Sequence, residues 1–533
     1  MPWKPLPFPL PPVPPRFHGE TLEQETKVFS RKLFDTFFSW PIERSIRILE
    51  TTPEEVWQRE GEKRALYVFH EAARRVPAYK DFLKKQRITP NKVRTIKDFE
   101  VVPWIDKKNY LRQYSLADLS WDGLLHTNQM ISVSSGSSGE PFFWPRGALS
   151  EIETTYIFEL VYKEFFQIDK NSTLIVVCAA MGMYVGGPIT LNCSLRIASK
   201  GHQLTIVTPG YVLDDILRIV SNVGNQHNQL IFVGYPPLIK EILDEGSARG
   251  IEWRNFKLKF VLAGEGFNET WREYVSQLAG GSDLYWDMVN WYGTADAAVL
   301  GHESPYAVSL RRAISTKPKT LREIFGEDRE PSFMHYYPTL RFFEVLNREL
   351  IFTTSGGLPL VRYNIHDSGG IFSNSAISKK MSDLGISRDD KPSPLRSYRS
   401  WYLPFVYLHG RSDFTAFLYG ANIYPENIRA ALENPKLRRS VTTRFTMSVE
   451  PTRRQDQRLV VNIECAKGTT LSRSLQRQVR SILIETLELL NSEYRVVHKA
   501  LGKKAVPTVH LYPKGDTRYF RPGIKHRWIQ KRL

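Results

Sequence analysis

Leu174-Ile175-Val176-Val177-Cys178-Ala179 is an unbroken apolar run, rich in β-branched residues and too short for a globular helix. It predicts a strand buried on both faces. Three comparable runs follow, at Gln203 to Val207, Leu230 to Val233 and Phe260-Val261-Leu262. Between them lie stretches with helical spacing, including Leu213 to Val223 and Pro237 to Glu245. Apolar strands that alternate with helices predict a largely parallel sheet covered on both faces. The expected fold class is α/β.

Outward from this block the pattern changes. Residues 20 to about 125 read as mainly helical. Lys63 to Lys85 contains no glycine, spaces Leu66, Val68, Phe69, Ala72, Ala73 and Val76 in near-helical register, and is interrupted by Pro77. Val101 to Lys107 reads as a connector. Residues 340 to 370 alternate as hairpins do, with a strand at Leu350 to Thr354 ended by Gly356-Gly357. Residues 373 to 400 are polar and basic without a clear period, and read as a mobile insertion. A small α+β domain starts near Gly410, with a strand at Leu459 to Ile463 and an amphipathic helix over Leu471 to Leu490 capped by Thr470. The expected organisation is a Pro-rich arm over 1–20, a large domain with mixed and parallel sheets over 21–409, and a basic lid over 410–533.

The chain has 533 residues, 42% hydrophobic and 24% charged, enough for two to four domains of roughly 100–200 residues each. Cys178, Cys193 and Cys465 are far apart and show no metal-ligand spacing, which argues against a zinc finger and for a reducing, cytoplasmic setting. No apolar run reaches the ~18 residues needed to span a membrane. The prolines of Met1-Pro2-Trp3-Lys4-Pro5-Leu6-Pro7-Phe8-Pro9 predict an extended arm and no signal peptide. Residues 411–533 hold 24 Lys or Arg against 10 Asp or Glu, so +14 of the net +17 lies there. Such a field attracts polyanions: ATP, coenzyme A, an acidic carrier protein, an anionic surface or nucleic acid. No nucleic-acid-binding fingerprint accompanies it.

Ile131-Ser132-Val133-Ser134-Ser135-Gly136-Ser137-Ser138-Gly139-Glu140-Pro141 is an apolar strand running into six small residues. Glycines let successive N–H groups point inward and serines add hydroxyls, a concavity suited to phosphate. No Gly-Lys-Ser/Thr follows, so this is not a Walker loop. Downstream come Ala263-Gly264-Glu265-Gly266, Trp291-Tyr292-Gly293-Thr294-Ala295-Asp296, Val361-Arg362-Tyr363-Asn364-Ile365-His366-Asp367, Gly410-Arg411-Ser412-Asp413-Phe414, Gly420-Ala421-Asn422 and, near the end, Lys525.

Their order and spacing resemble the adenylate-forming superfamily, and within it the phenylacetate–coenzyme A ligase-like family. Val76-Pro77-Ala78-Tyr79, Lys107-Lys108-Asn109-Tyr110-Leu111 and Tyr184-Val185-Gly186-Gly187 also fit that family. The resemblance implies that Ser134, Ser135, Gly136, Ser137, Ser138 and Gly139 hold the phosphates of ATP. It places Gly264, Glu265, Tyr292 and Gly293 around adenine, Asp367 on the ribose hydroxyls, and Arg411 near ribose or phosphate. Thr294 and Asp296 are the expected catalytic pair, Asp296 reaching Mg2+ as a hard oxygen donor. Lys525 is the expected mobile lysine, Asp413 the hinge of the lid, and Gly420 and Asn422 the lining of a thiol-acceptor tunnel. Met181, Met183, Tyr184, Gly186, Tyr235 and Pro236 are the expected pocket for an aryl or medium acyl acid. Glu140 stands where many relatives have Lys, Ala295 where Thr is common, and Asp296 where Glu is usual.

The implied activity is ligation. A small-molecule carboxylic acid reacts with ATP to give an acyl-adenylate and pyrophosphate, and the acyl group then passes to coenzyme A. Other acceptors, namely a carrier-protein thiol, a protein residue or an amine, stay open at this point, as does a non-catalytic nucleotide-binding relative. The charge alone does not require nucleic acid.

Overall fold

The structure is a computed structural model that describes residues 41–128, 130–134, 142–327, 330–385, 395, 398–411, 416–437, 439–516 and 518–520. The arm over 1–20, Ser135, Gly136, Ser137, Ser138, Gly139, Glu140, Asp413 and Lys525 lie outside the described residues.

The strands are β1 (Met130–Ser134), β2 (Phe142–Arg146), β3 (Thr173–Cys178), β4 (Leu204–Val207), β5 (Gln229–Gly234), β6 (Leu258–Ala263), β7 (Met288–Thr294), β8 (Ala298–His302), β9 (Ser332–His335), β10 (Phe342–Leu346), β11 (Glu349–Thr354), β12 (Leu360–Phe372), β13 (Phe405–Arg411), β14 (Ala416–Leu418), β15 (Ala421–Ile423), β16 (Val441–Pro451), β17 (Gln457–Cys465) and β18 (Thr508–Tyr512). One eleven-stranded sheet runs β4-β3-β5-β6-β7-β8-β9-β13-β12-β11-β10.

The expected parallel sheet is one half of this. β4, β3, β5, β6 and β7 are mutually parallel, and from β8 onward every pairing is antiparallel. The reversal is local. Thr294 Oγ1 accepts the Ala297 N–H at 3.1 Å, closing a turn that doubles β7 back onto β8. β3 and β5 are buried at every residue, since helices Gly186–Ala198, Leu213–Val223, Pro236–Ala248 and Glu269–Leu278 connect the parallel strands.

β1 and β2 form a separate hairpin, tied to the large domain where Val133 N–H donates to the Met183 carbonyl at 2.8 Å. The N-terminal helices are Ile42–Thr51, Glu54–Arg75 and Pro77–Lys85, and Pro77 sits at a first-turn position where its missing N–H costs nothing. Part of the 373–400 stretch is ordered as helix Asn374–Asp383, which buries Ile377 and Met381 one turn apart. Two apolar residues among eight polar or small ones leave little period to read.

A smaller C-terminal sheet pairs β16 with β17 antiparallel and β17 with β18 parallel, under helix Arg473–Leu490. Its N-cap is Ser472, not Thr470: the Ser472 hydroxyl accepts the Leu475 N–H at 3.1 Å. Two-residue hairpin β14–β15 turns through Tyr419 (φ 48°) and Gly420 (φ 90°), the doubly left-handed turn that matches strand twist.

Candidate functional site

In an open α/β sheet, ligands bind beyond the carboxyl ends of the parallel strands. Four expected site segments end up there. Met181 follows β3, Tyr235 follows β5, Gly264 and Glu265 follow β6, and Tyr292 to Asp296 close β7. The sheet order sets these ends side by side, although over 110 residues separate the first from the last.

At the β7 rim, Tyr292 and Asp367 meet: the buried phenol donates to Asp367 Oδ2. Four residues on, Asp296 carries a side chain only 3% exposed. Its Oδ2 accepts the Tyr363 hydroxyl at 2.5 Å and its Oδ1 lies 3.5 Å from Lys107 Nζ. That ammonium also sits 5.4 Å over the Trp144 ring. Tyr363 is placed by β12, which Ile105 extends by one parallel bridge: Ile105 N–H donates to Arg362 O at 3.1 Å and Asn364 N–H to Ile105 O at 2.8 Å. Arg362 clamps the same connector, donating to the carbonyls of Glu100 and Val102 and to Glu344. Antiparallel pairing sets the Arg411 backbone directly across from Asp367.

At the β6 rim the partners come from the smaller domain. Glu265 Oε1 accepts an N–H from Gln457 Nε2, at the start of β17, and its Oε2 is buried. Burial pushes the Glu265 carboxyl up to about 8, against the lowering effect of the Gln457 hydrogen bond. Gly420 lies on Tyr235, so that a side chain at 420 would begin 3.6 Å from its ring. Tyr211 packs edge-on to Tyr235 at 5.7 Å. Asn422 is held within the smaller domain: its N–H and Nδ2 donate to Glu493 Oε2 at 2.8 and 3.1 Å, and its carbonyl accepts from Asn491 at 2.7 Å. Lys240, on helix Pro236–Ala248, reaches Asp456 at 3.0 Å, and Lys504 pairs with Glu241 across the same boundary.

The expected acid pocket is divided. Tyr235 is buried, Met181 and Tyr184 are half-buried, and Gly186 opens its helix at the surface. Pro236 is buried at the first turn of helix Pro236–Ala248. Met183 is 66% exposed and does not belong to a buried lining. Gly187, beside it, has no room for a Cβ, which would sit 2.5 Å from Ala180 O and from Met181 Sδ. Ser134 is the described member of the Ser/Gly loop; it ends β1, buried, opposite Phe142. Gly293 is exposed at the rim, while Thr294 spends its hydroxyl on the β7–β8 turn.

Among the described residues no group of three or more His, Cys, Asp or Glu could hold a metal ion by itself. Asp296 offers one carboxylate with an ammonium alongside. The carboxylate alone fits Mg2+ arriving on a polyphosphate, which needs one or two carboxylates and takes its other ligands from phosphate and water.

The pairings of three residues escape a reading by motif, although Tyr363 and Lys107 lie in segments that fit the family. Tyr363 looks like a strand aromatic, Gln457 like the solvated start of a strand, and Lys107 like one charge in a basic connector. Each gains its role from a residue far off in sequence.

No protein-family model matches this chain, and no curated protein matches it. Among solved structures it is similar to 2-hydroxyisobutyryl-CoA ligase in complex with 2-HIB-AMP and CoA in the thioesterification state, at 15% identity over 91% of each chain, TM-score 0.62. The open conformation of that ligase with the same ligands gives 15% identity over 91% of this chain and 93% of that one, TM-score 0.53. Its postadenylation state with 2-HIB-AMP gives 16% identity over 91% and 92%, TM-score 0.50. The likeness shows a shared fold over most of both chains.

Proposed function

We propose that this chain joins a carboxylic acid to coenzyme A through an acyl-adenylate, as a phenylacetate–CoA ligase-like member of the adenylate-forming superfamily. The observation that carries the reading is the convergence at one sheet rim of two phenol–carboxylate pairs, Tyr292 with Asp367 and Tyr363 with Asp296. Asp367 and the Arg411 backbone take the ribose side of ATP, and Tyr292 and Gly264 the adenine side. Asp296 faces the phosphates. Mg2+, bound with the nucleotide, supplies positive charge to the phosphate oxygens. A carboxylate oxygen of the acid attacks the α-phosphorus and pyrophosphate leaves, with Lys525 and the Ser134–Gly139 loop stabilising the charge that develops. The thiol then attacks the acyl carbonyl, loses its proton, and AMP departs.

The 2-hydroxyisobutyryl-CoA ligase states support the second half of this scheme. Identity and coverage barely change among them, while the TM-score falls from 0.62 for the thioesterification state to 0.53 and 0.50 for the other two. We take this difference as support for a docking of the smaller domain like that of the thioesterification state, with Gly420 against Tyr235. β13 ends at Arg411 and β14 begins at Ala416, an interval that supports the hinge assigned to Asp413. Tyr184, Tyr211 and Tyr235 favour an aryl or medium acyl acid. The three buried free thiols suit the cytoplasm, and no described helix is long and apolar enough to cross a membrane.

One observation favours a second acceptor. The +14 balance of residues 411–533 suits an acidic carrier protein delivering a phosphopantetheine thiol. The test is to supply ATP, Mg2+ and a panel of aromatic and aliphatic acids, with coenzyme A or without it. We expect acid-dependent pyrophosphate release and a coenzyme A thioester. Pyrophosphate without thioester would move the assignment to another acceptor, and no acid-dependent pyrophosphate from any member would overturn it.

A further inference from the structure

The turn that carries Asp296 is gripped from below by two buried arginines. Arg146, at the end of β2, donates from Nη1 to the Ala295 carbonyl at 3.4 Å and from Nε to Glu151 at 3.0 Å. Arg341, just before β10, donates from Nη2 to the Ala297 carbonyl at 3.1 Å and from Nη1 to Glu153 at 2.7 Å. All four charged side chains are buried, and both glutamates belong to helix Ala148–Glu164. The carbonyls on either side of Asp296 are thus tied to one helix, while its carboxylate points to Tyr363 and Lys107.

Stability alone is a poor reason for this arrangement. A buried Arg–Glu pair rarely outperforms apolar residues of the same volume. The turn, however, needs an external hold. Thr294 closes the turn at the Ala297 N–H, but Ala295 and Ala297 carry only methyl groups and cannot fix their own carbonyls, and Ala298 is held at φ 59°, a left-handed conformation that neighbouring structure must impose. A guanidinium can grip a carboxylate and a carbonyl at once through separate N–H groups, which an ammonium cannot do in the same fixed geometry.

We infer that Arg146 and Arg341 are positioning residues that hold the Thr294–Ala298 turn so that Asp296 stays aimed at the metal–nucleotide site. This rests on the proposed adenylation. A misplacement of a reacting or metal-binding group by about 1 Å costs up to about a hundredfold, so loosening one of two anchors is expected to cost about tenfold.

The experiment compares Arg146→Lys and Arg341→Lys with the full-length parent in three readouts. These are Mn2+ affinity in the presence of ATP by electron paramagnetic resonance, acid-dependent ATP–pyrophosphate exchange, and thioester formation from supplied acyl-adenylate. We expect each variant to lose about tenfold in Mn2+ affinity and in exchange, with transfer from acyl-adenylate within about twofold. The Mn2+ titration is scaled to the folded fraction from thermal melting, so a poorly folding variant still gives an answer. Parental Mn2+ affinity in both variants, or all three readouts falling together with the folded fraction, overturns the positioning role. Absence of exchange in the parent overturns the function reading instead.

Discussion

At the end of β7, Asp296 takes its partners from Lys107, Tyr363 and a turn tied to helix Ala148–Glu164, all within the large domain. At the end of β6, one strand away, Glu265 takes its partner from Gln457 of the smaller domain, and the neighbouring Tyr235 is covered by Gly420. The contacts described at the first rim all lie within the large domain. Those described at the second cross between the domains. On the proposed two-step reaction, this division would give phosphate chemistry a base within one domain and acceptor delivery a face made by both.

The largest expected effect tests the constant rim. Asp296→Ala should lower acid-dependent ATP–pyrophosphate exchange about 10²–10³-fold, the loss typical of a preorganised electrostatic group. Transfer from supplied acyl-adenylate should fall less than about threefold. Equal losses in both steps would break the division between the rims.

An intermediate effect is expected at the assembled rim. Gly420→Val puts a β-branched side chain at φ 90°, facing the Tyr235 ring. A left-handed conformation costs roughly 1–2 kcal/mol for a residue with a Cβ, so thioester formation should drop about tenfold while exchange changes little. A variant in which exchange suffers more than transfer would reverse the assignment.

The smallest effect is a pH dependence of docking. In this arrangement burial pushes the Glu265 carboxyl up to about 8, against the lowering effect of the Gln457 hydrogen bond, and we expect separation of the domains to return it toward its ordinary value near 4.3. The docked form therefore binds the proton more tightly. Its advantage is full below about pH 4.3 and is lost as pH rises through about 8. Small-angle scattering between pH 6 and 9.5 should show the domains separating at the alkaline end in the parent, and Glu265→Gln, which cannot ionise, should flatten that change. The same pH response in parent and variant would remove Glu265 from the docking contact.

The two rims were legible beforehand to the same extent. Both carry local signatures, Gly264-Glu265-Gly266 and Tyr292-Gly293-Thr294-Ala295-Asp296, since backbone turns and rim chemistry depend on residues adjacent in the chain. The same holds for Gly420, whose left-handed φ is a local demand. Their partners were not legible. Tyr363 is 67 residues from Asp296 and Gln457 is 192 from Glu265; Tyr363 lies in the Val361–Asp367 segment, but nothing local marks either residue as the partner of its carboxylate. Arg146 and Arg341 were hidden differently, because a charged residue at a strand end usually reads as solvated.

By itself, the sequence determined the parallel half of the sheet, the helices that cover it, and the order of the segments brought to its rim, because apolar periodicity and turn chemistry act over a few residues at a time. Only the tertiary structure decided that the sheet continues for six antiparallel strands beyond β7, that Lys107 and Tyr363 face Asp296, and that Glu265 answers to the smaller domain. Those outcomes depend on burial and on meetings between distant side chains, which no local pattern encodes.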